Sequence, residues 1–255
     1  MSRGGRYWVL AVGIAAVGGA LAWAFLSMPG FGGGFHPYRD AAVAAALRHS
    51  TANVVSSVNF DQRGFDTLGE ETILLASVVG VAVLLRPLPG ERHRHGRQGG
   101  HVLGTTRMLV VVAVPLTLVL GIDVVAHGAV TPGGGFQGGV VAATALHLIY
   151  VGDRYRVFAR LRPIGLFEQA EAAGVVAYAA VGVAGLAFGG SWLANILPHG
   201  TLARLVSAGT VPLLNAAVGL AVAGSVVVLL SHFLDQRFLS PPPGTRHAPG
   251  DGTQP

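Results

Sequence analysis

The sequence predicts an all-α, polytopic membrane protein with about six transmembrane helices and both termini in the cytoplasm. Three observations carry this expectation. Of 255 residues, 51% are apolar and only 11% are charged, against roughly 25% charged in an ordinary soluble domain. The apolar residues gather into six runs close to the ~20 residues that a helix needs to cross a hydrocarbon core of about 30 Å. The 17 basic residues, all arginine, are spread unevenly among the segments between those runs, and that asymmetry orients a membrane protein.

The first run, Tyr7 to Ser27, is uncharged throughout. A cleaved signal peptide behind Arg3 and Arg6 is the rival reading, but the run is long for an h-region and no clear cleavage site follows. Met28 to Phe65 is polar and mixed, with a helix-competent surface stretch at Asp40 to Leu47. The second run lies within Leu68 to Leu85. Its uncharged part, from Thr72, covers only about 21 Å at the helical rise. A spanning helix must therefore extend back through Glu71 and Glu70 toward Asp66. Residues 86–107, rich in Pro, Gly, Arg and His, read as a linker. His93, His95 and His101 within it match no tight metal-ligand spacing.

The third run is Met108 to about Ala126, with Asp123 about a turn from its end and His127 one turn beyond. The fourth is about Phe136 to Val151. Its apolar part starts only at Val140, so the glycine-rich segment before it must enter the membrane level. The fifth is Ala172 to Gly190, with Glu168 and Glu171 placed in its first turn, where the helix dipole stabilises them. The sixth is about Thr210 to Leu234, and the tail from Ser240 is disordered by composition. The expected organisation is a two-span module at 1–90, a cytoplasmic linker at 91–104, a four-span domain at 105–236 and a disordered tail at 237–255.

The N-terminal tail, the 86–107 loop, the 152–170 loop and the C-terminal tail hold 2, 5, 4 and 2 arginines, whereas the opposite side holds only Arg39, Arg48, Arg63 and Arg204. The positive-inside rule places both termini and the arginine-rich loops in the cytoplasm. The basic excess is thus a topology signal, and no nucleic-acid partner is implied. Arg154, Arg156, Arg160 and Arg162 form an inner basic belt suited to anionic headgroups. The absence of lysine excludes Schiff-base chemistry and a Walker-type loop. The absence of cysteine excludes disulfides, thiolate zinc sites and iron-sulfur clusters. No catalytic constellation, cofactor motif or resident metal site emerges, so the chain is not expected to be an enzyme.

The few intramembrane polar residues are the functional candidates. A charged side chain deep in a span costs about 2.5–3.5 kcal/mol on insertion scales. Such a carboxyl can exchange a proton or offer oxygen ligands to Na+. Glu70, Glu71 and Asp123 are ion-path candidates in the outer half, and Asp66, four residues before Glu70, shares its helix face. The bland alternatives are dipole stabilisation for the glutamates and a structural pair with His127 for Asp123. His147, about a turn from the inner end of the fourth run, is a packing residue or a proton relay. Pro132, Gly133, Gly134, Gly135, Gln137, Gly138 and Gly139 read as non-helical chain dipping into the membrane, with Gly134/Gly138 and Gly135/Gly139 also making faces for close helix approach. Gln137 can bond the broken helix or a neighbour. Asn215, just after Pro212, reads as a bridge between helices.

Two segments carry a resemblance. TPGGGFQGGVVAATALHLIYV (Thr131 to Val151) and GTVPLLNAAVGLAVAGSVVVLL (Gly209 to Leu230) resemble the MnhB family, the B subunit of the multisubunit Na+/H+ antiporters called Mrp or Mnh. One departure is that the family commonly has Gly-His just before Pro-Gly-Gly-Gly, whereas here His127 precedes Gly128. NVVSSVNFDQRGFDTLGEETILLASVVGVAVLLR (Asn53 to Arg86) is similar to the MbhE-like module that often ends the large A subunit of the same antiporters. Its core, R-G-F-D-T-L-G-E, includes Asp66 and Glu70. The resemblance implies a fusion of two neighbouring modules, acting as an accessory or ion-path subunit among other subunits in the cell membrane, a bacterial inner membrane, with Na+ and H+ as the transported ions. It does not imply independent antiport. The same module types occur in redox-driven relatives such as membrane-bound hydrogenases, and a purely structural assembly role is the further alternative.

Overall fold

The computed structural model describes residues 3–28, 34, 36–86, 92–93, 102–161, 164–236 and 239–240. The chain divides into two compact units, Met1–Ala41 and Ala42–Pro255. The first is built on α1, Arg3–Leu26. At 1.5 Å per residue its 24 residues reach about 36 Å, and Trp8, Trp23 and Phe25 are among its many exposed apolar side chains. A helix apolar on every side is suited to hydrocarbon.

In the second unit, α2 (Pro37–Arg48) begins before the division between units. It starts earlier than the expected Asp40 because proline suits a first turn, and Asp40 and Arg48 complement its dipole. Asn53 caps the short α3 (Val54–Ser57), accepting from Ser56 N at 3.3 Å. A π-helical turn, Val58–Gln62, leads into α4 (Gly64–Leu84). The membrane helices that follow are α5 (Gly104–Ala126), α6 (Gly135–Leu161), α7 (Ile164–Gly189) and α8 (Val211–Gln236). A two-residue antiparallel pair joins Arg92–His93 to Leu239–Ser240.

Among the described residues six helices are long and apolar enough to span a membrane, including α1. α4 runs back past Glu71, Glu70 and Asp66 to Gly64, which supplies the length that its uncharged part lacks. Two expectations are corrected. The 152–170 segment is mostly helix, because α6 continues to Leu161 and α7 resumes at Ile164. Hydropathy ends where the arginines start, but backbone hydrogen bonding does not. The side chains of Arg154, Arg156, Arg160 and Arg162 lie outside the described residues, as do His95, His101 and residues 241–255. The second correction concerns Gly135 to Gly139, which are already inside α6; the non-helical part of the glycine run is Thr131–Gly134.

α8 is the axis of this unit, and most of its membrane-spanning length is buried. Val211, Leu214, Val218, Val222, Val227 and Val228 are among its buried residues. α4, α6 and α7 pack directly on it, and α5 packs mainly on α6. Each partner offers a narrow inward stripe. On α4 it is Gly64, Thr67, Glu71 and Val78; on α7 it is Glu171, Gly174, Tyr178, Gly182 and Gly185. These spacings keep one helix face inward. The stripes are small or polar because helices associating in lipid gain from close packing and internal hydrogen bonds rather than from burying apolar surface.

Candidate functional site

The start of α6 is one polar centre of this unit. Gly133 and Gly134 have φ of 136° and 144°, a region that glycine alone enters freely. Their turn leaves the first amides of α6 without helical partners, and Asn215 on α8 supplies one. Gly135 N donates to Asn215 Oδ1 at 2.9 Å, while Asn215 Nδ2 donates to Ser56 Oγ at 3.0 Å and Val211 O at 3.1 Å. Asn215 is fully buried. From the other side, Asn53 Nδ2 donates to Gly128 O and Thr131 O, each at 2.8 Å. Two asparagines thus hold the broken segment from α3 and from α8. Gly139 lies so close to α8 that a Cβ there would stand 2.8 Å from Gly219 O. Pro132 and Gln137 are exposed.

The acidic candidates separate into different settings. Asp66 is about half exposed and pairs with Arg63 at 2.5 Å. Glu70, on the same outward side of α4, is exposed. Asp123 is also exposed and pairs with His127, Nδ1 to Oδ1 at 3.0 Å, beside an open hollow lined by Val130, Arg204 and Val206 among others. Glu71 is instead 1% exposed, and its Oε1 has no hydrogen-bond partner among the described residues. The ring of half-buried His147 lies against the backbone of Val226, with Nε2 unpartnered among the described residues.

Glu171 is where the sequence reading fails. α7 begins at Ile164, so no acidic residue lies in its first turn, and dipole stabilisation does not explain Glu171. It is buried two turns in, and Ser225 Oγ on α8 donates to its Oε1 at 2.6 Å. Glu71 feels the charge of both Glu171 and Glu70. Tyr178, fully buried on the same face of α7, donates from its hydroxyl to Gly64 O at 2.7 Å and fastens α7 to the start of α4.

A second cluster, also absent from the sequence reading, joins the loops at the α4 N-terminal end. His49 Nδ1 meets Asp61 Oδ2 at 2.5 Å, and Asn195 Nδ2 donates to Asp61 Oδ1 at 3.1 Å. The ring of His49 stacks on His199 with centroids 4.3 Å apart. Asn195 Oδ1 in turn accepts from Thr210 N at 2.9 Å, just before α8. No local pattern announces this cluster, because its members come from distant parts of the chain. Among the described residues no group of three or more His, Asp or Glu side chains is placed to hold a metal ion.

Comparisons with known proteins cover different lengths of the chain. Residues 105–228 match the family model described as a domain related to the MnhB subunit of the Na+/H+ antiporter. The chain is 32% identical over 194 residues to the uncharacterized protein MJ1307 of Methanocaldococcus jannaschii, covering 67% of this chain and 72% of that one. Among solved structures it resembles a chain of the membrane-bound sulfane sulfur reductase, an archaeal respiratory membrane complex. The TM-score is 0.68 at 27% identity, over 92% of this chain and 99% of that one. The same TM-score and identity relate it to a chain of the Mrp complex from a Dietzia species, over 91% of this chain but only 26% of that longer one.

Proposed function

The chain belongs to the MnhB family of Na+/H+ antiporter subunits, and from that premise we propose that it is a multi-pass membrane subunit of a monovalent cation/proton antiporter complex. The observation that carries this reading is the extent of the structural match. It takes in more than nine-tenths of this chain in two multisubunit membrane complexes, well beyond the four-span segment that the family model covers. The Mrp relative contains this arrangement as about a quarter of a larger chain. That supports reading residues 1–90 as an MbhE-like module joined through 91–104 to the MnhB-like domain at 105–236, with a tail at 237–255. Both termini and the arginine-rich segments face the cytoplasm in this proposal. The partners are the other subunits and the bilayer, and the chain performs no catalysis of its own.

Its residues divide into builders and ion-path candidates. Asn215 and the Pro132–Gly139 stretch build the four-helix packing. Glu70, Asp66 and Asp123 face outward from this chain, where carboxylates can meet a neighbouring subunit, while Glu71 and His147 face inward or partly so. Glu70→Gln and Asp123→Asn, measured together in everted vesicles, test this role. The expected result is loss of Na+-driven proton movement with the complex still assembled. Unchanged exchange with assembly intact leaves the chain a scaffold.

The sulfane sulfur reductase match favours one second reading, since nearly all of that chain superposes on this one. A subunit of a redox-driven relative would copurify with redox-active subunits and their reductase activity.

A further inference from the structure

Helix geometry puts Glu71 and Glu171 at about the same depth inside the protein. Tyr178 is bonded to Gly64, and a Cβ on Gly64 would stand 2.9 Å from Leu193, past the end of α7, so the start of α4 lies toward the end of α7 and the two helices run antiparallel. Each glutamate is seven residues from its member of that bonded pair, Glu71 after Gly64 and Glu171 before Tyr178. At 1.5 Å per residue both sit about 10 Å from the bond, on the same level. Both belong to the inward stripes of their helices, and both are almost wholly buried.

The ion pairs among the described residues all lie elsewhere. Among the described residues the titratable groups that interact with the two carboxylates are Glu70 on α4 and Glu168 and Tyr178 on α7, and α8 contributes the Ser225 hydroxyl. Among the described residues neither carboxylate has a cationic partner, and two buried like charges left so are not sustained in a low-dielectric interior. A small cation would neutralise one of them. The donor set consists of oxygens only, which suits a proton or a hard metal cation rather than a soft transition metal. One buried oxygen, Glu71 Oε1, is still without a partner.

We propose that Glu71 and Glu171 form an exchange site within this chain, at which one shared proton gives way to one monovalent cation. The proposal rests on reading the chain as part of an antiporter-type complex. In the exchange one carboxyl O–H bond breaks, the proton passes to a water molecule, and the cation takes its place among the carboxylate oxygens and Ser225 Oγ. The pair carries one net negative charge before and after, so the exchange itself adds no buried charge.

Dicyclohexylcarbodiimide, which attacks protonated carboxyls in apolar surroundings, tests this on the intact purified complex, with modified peptides located by mass spectrometry. Modification at Glu71 or Glu171 is expected. Replacing choline chloride by sodium or potassium chloride should slow it, by about threefold when the cation stands at twice its dissociation constant. Glu71→Gln and Glu171→Gln should each abolish that protection at the remaining carboxyl, while Glu171→Gln still accepts from Ser225. The site is overturned if neither glutamate reacts while other carboxyls of the complex do, if neither cation slows the reaction, or if protection survives loss of one partner. Those outcomes in a complex that still exchanges cations leave the subunit assignment standing. Recovery of the chain without partner subunits overturns the assignment itself.

Discussion

A one-residue step along α4 separates two chemistries. Glu70 is exposed on the outside of the unit, whereas Glu71 is buried against α7 and α8. Helical geometry turns consecutive side chains by about 100°, so neighbours in sequence face different surroundings. The same reasoning applies to Asn215, whose amide meets Gly135, Ser56 and Val211 at once. Asn215→Ala leaves the Gly135 amide and the Ser56 hydroxyl without this partner in a buried setting, at a cost of about 1–3 kcal/mol for an unsatisfied group. Thermal unfolding of the detergent-purified protein should show a lowered midpoint. Asn215→Asp should fall in the same direction, because it keeps the acceptor for Gly135 and can accept from the Ser56 hydroxyl, but sets a carboxylate oxygen against Val211 O in place of a donated bond and buries a charge. An unchanged midpoint in both variants removes the asparagine from the account of how α6 is held.

At the scale of the element, length and glycine content made most of the helices readable. The span containing α4 is too short without its carboxylates, so its extension to Gly64 follows from the distance to be crossed. The glycine run before Val140 likewise announced a break, and the structure confines it to the residues before Gly135. What was not readable is the start of α7. Its opening stretch, IGLFEQAEA, mixes apolar and acidic residues, and hydropathy places no helix there until Ala172. Ser225 on a distant helix makes Glu171 tolerable inside, and a partner that far along the chain leaves no local trace. The His49–Asp61–Asn195 cluster escaped for the same reason. The glycines of α6 make a sharper prediction. At Gly139 an added Cβ would stand 2.8 Å from Gly219 O and 2.9 Å from Val222 Cβ, well inside contact distance. Gly139→Val should therefore force α6 from α8, costing about 1–3 kcal/mol or more as overpacking. A lower unfolding midpoint and reduced recovery of folded protein are expected, and wild-type behaviour in both would contradict the packing described here.

At the scale of the whole molecule, the charge deficit gives the chain its logic. Few charged residues enter the spans, and those that do sit either on outward faces or in the Glu71–Glu171 interior. Much of α4, α5 and α7 shows apolar side chains such as Ile73, Leu109, Val119 and Val176 outward, as expected of helices that meet lipid or neighbouring subunits. A subunit of a larger assembly presents acidic side chains on such faces only where another subunit or the water boundary receives them. The most direct measurement is purification of the full chain from native membranes in mild detergent, with the mass of the particle and the identity of its components determined together. A large particle is expected, in which this chain is present with other antiporter-type membrane subunits in fixed proportion. Recovery of the chain as a lone monomer, from membranes whose cation/proton exchange is unaffected by its removal, would contradict it.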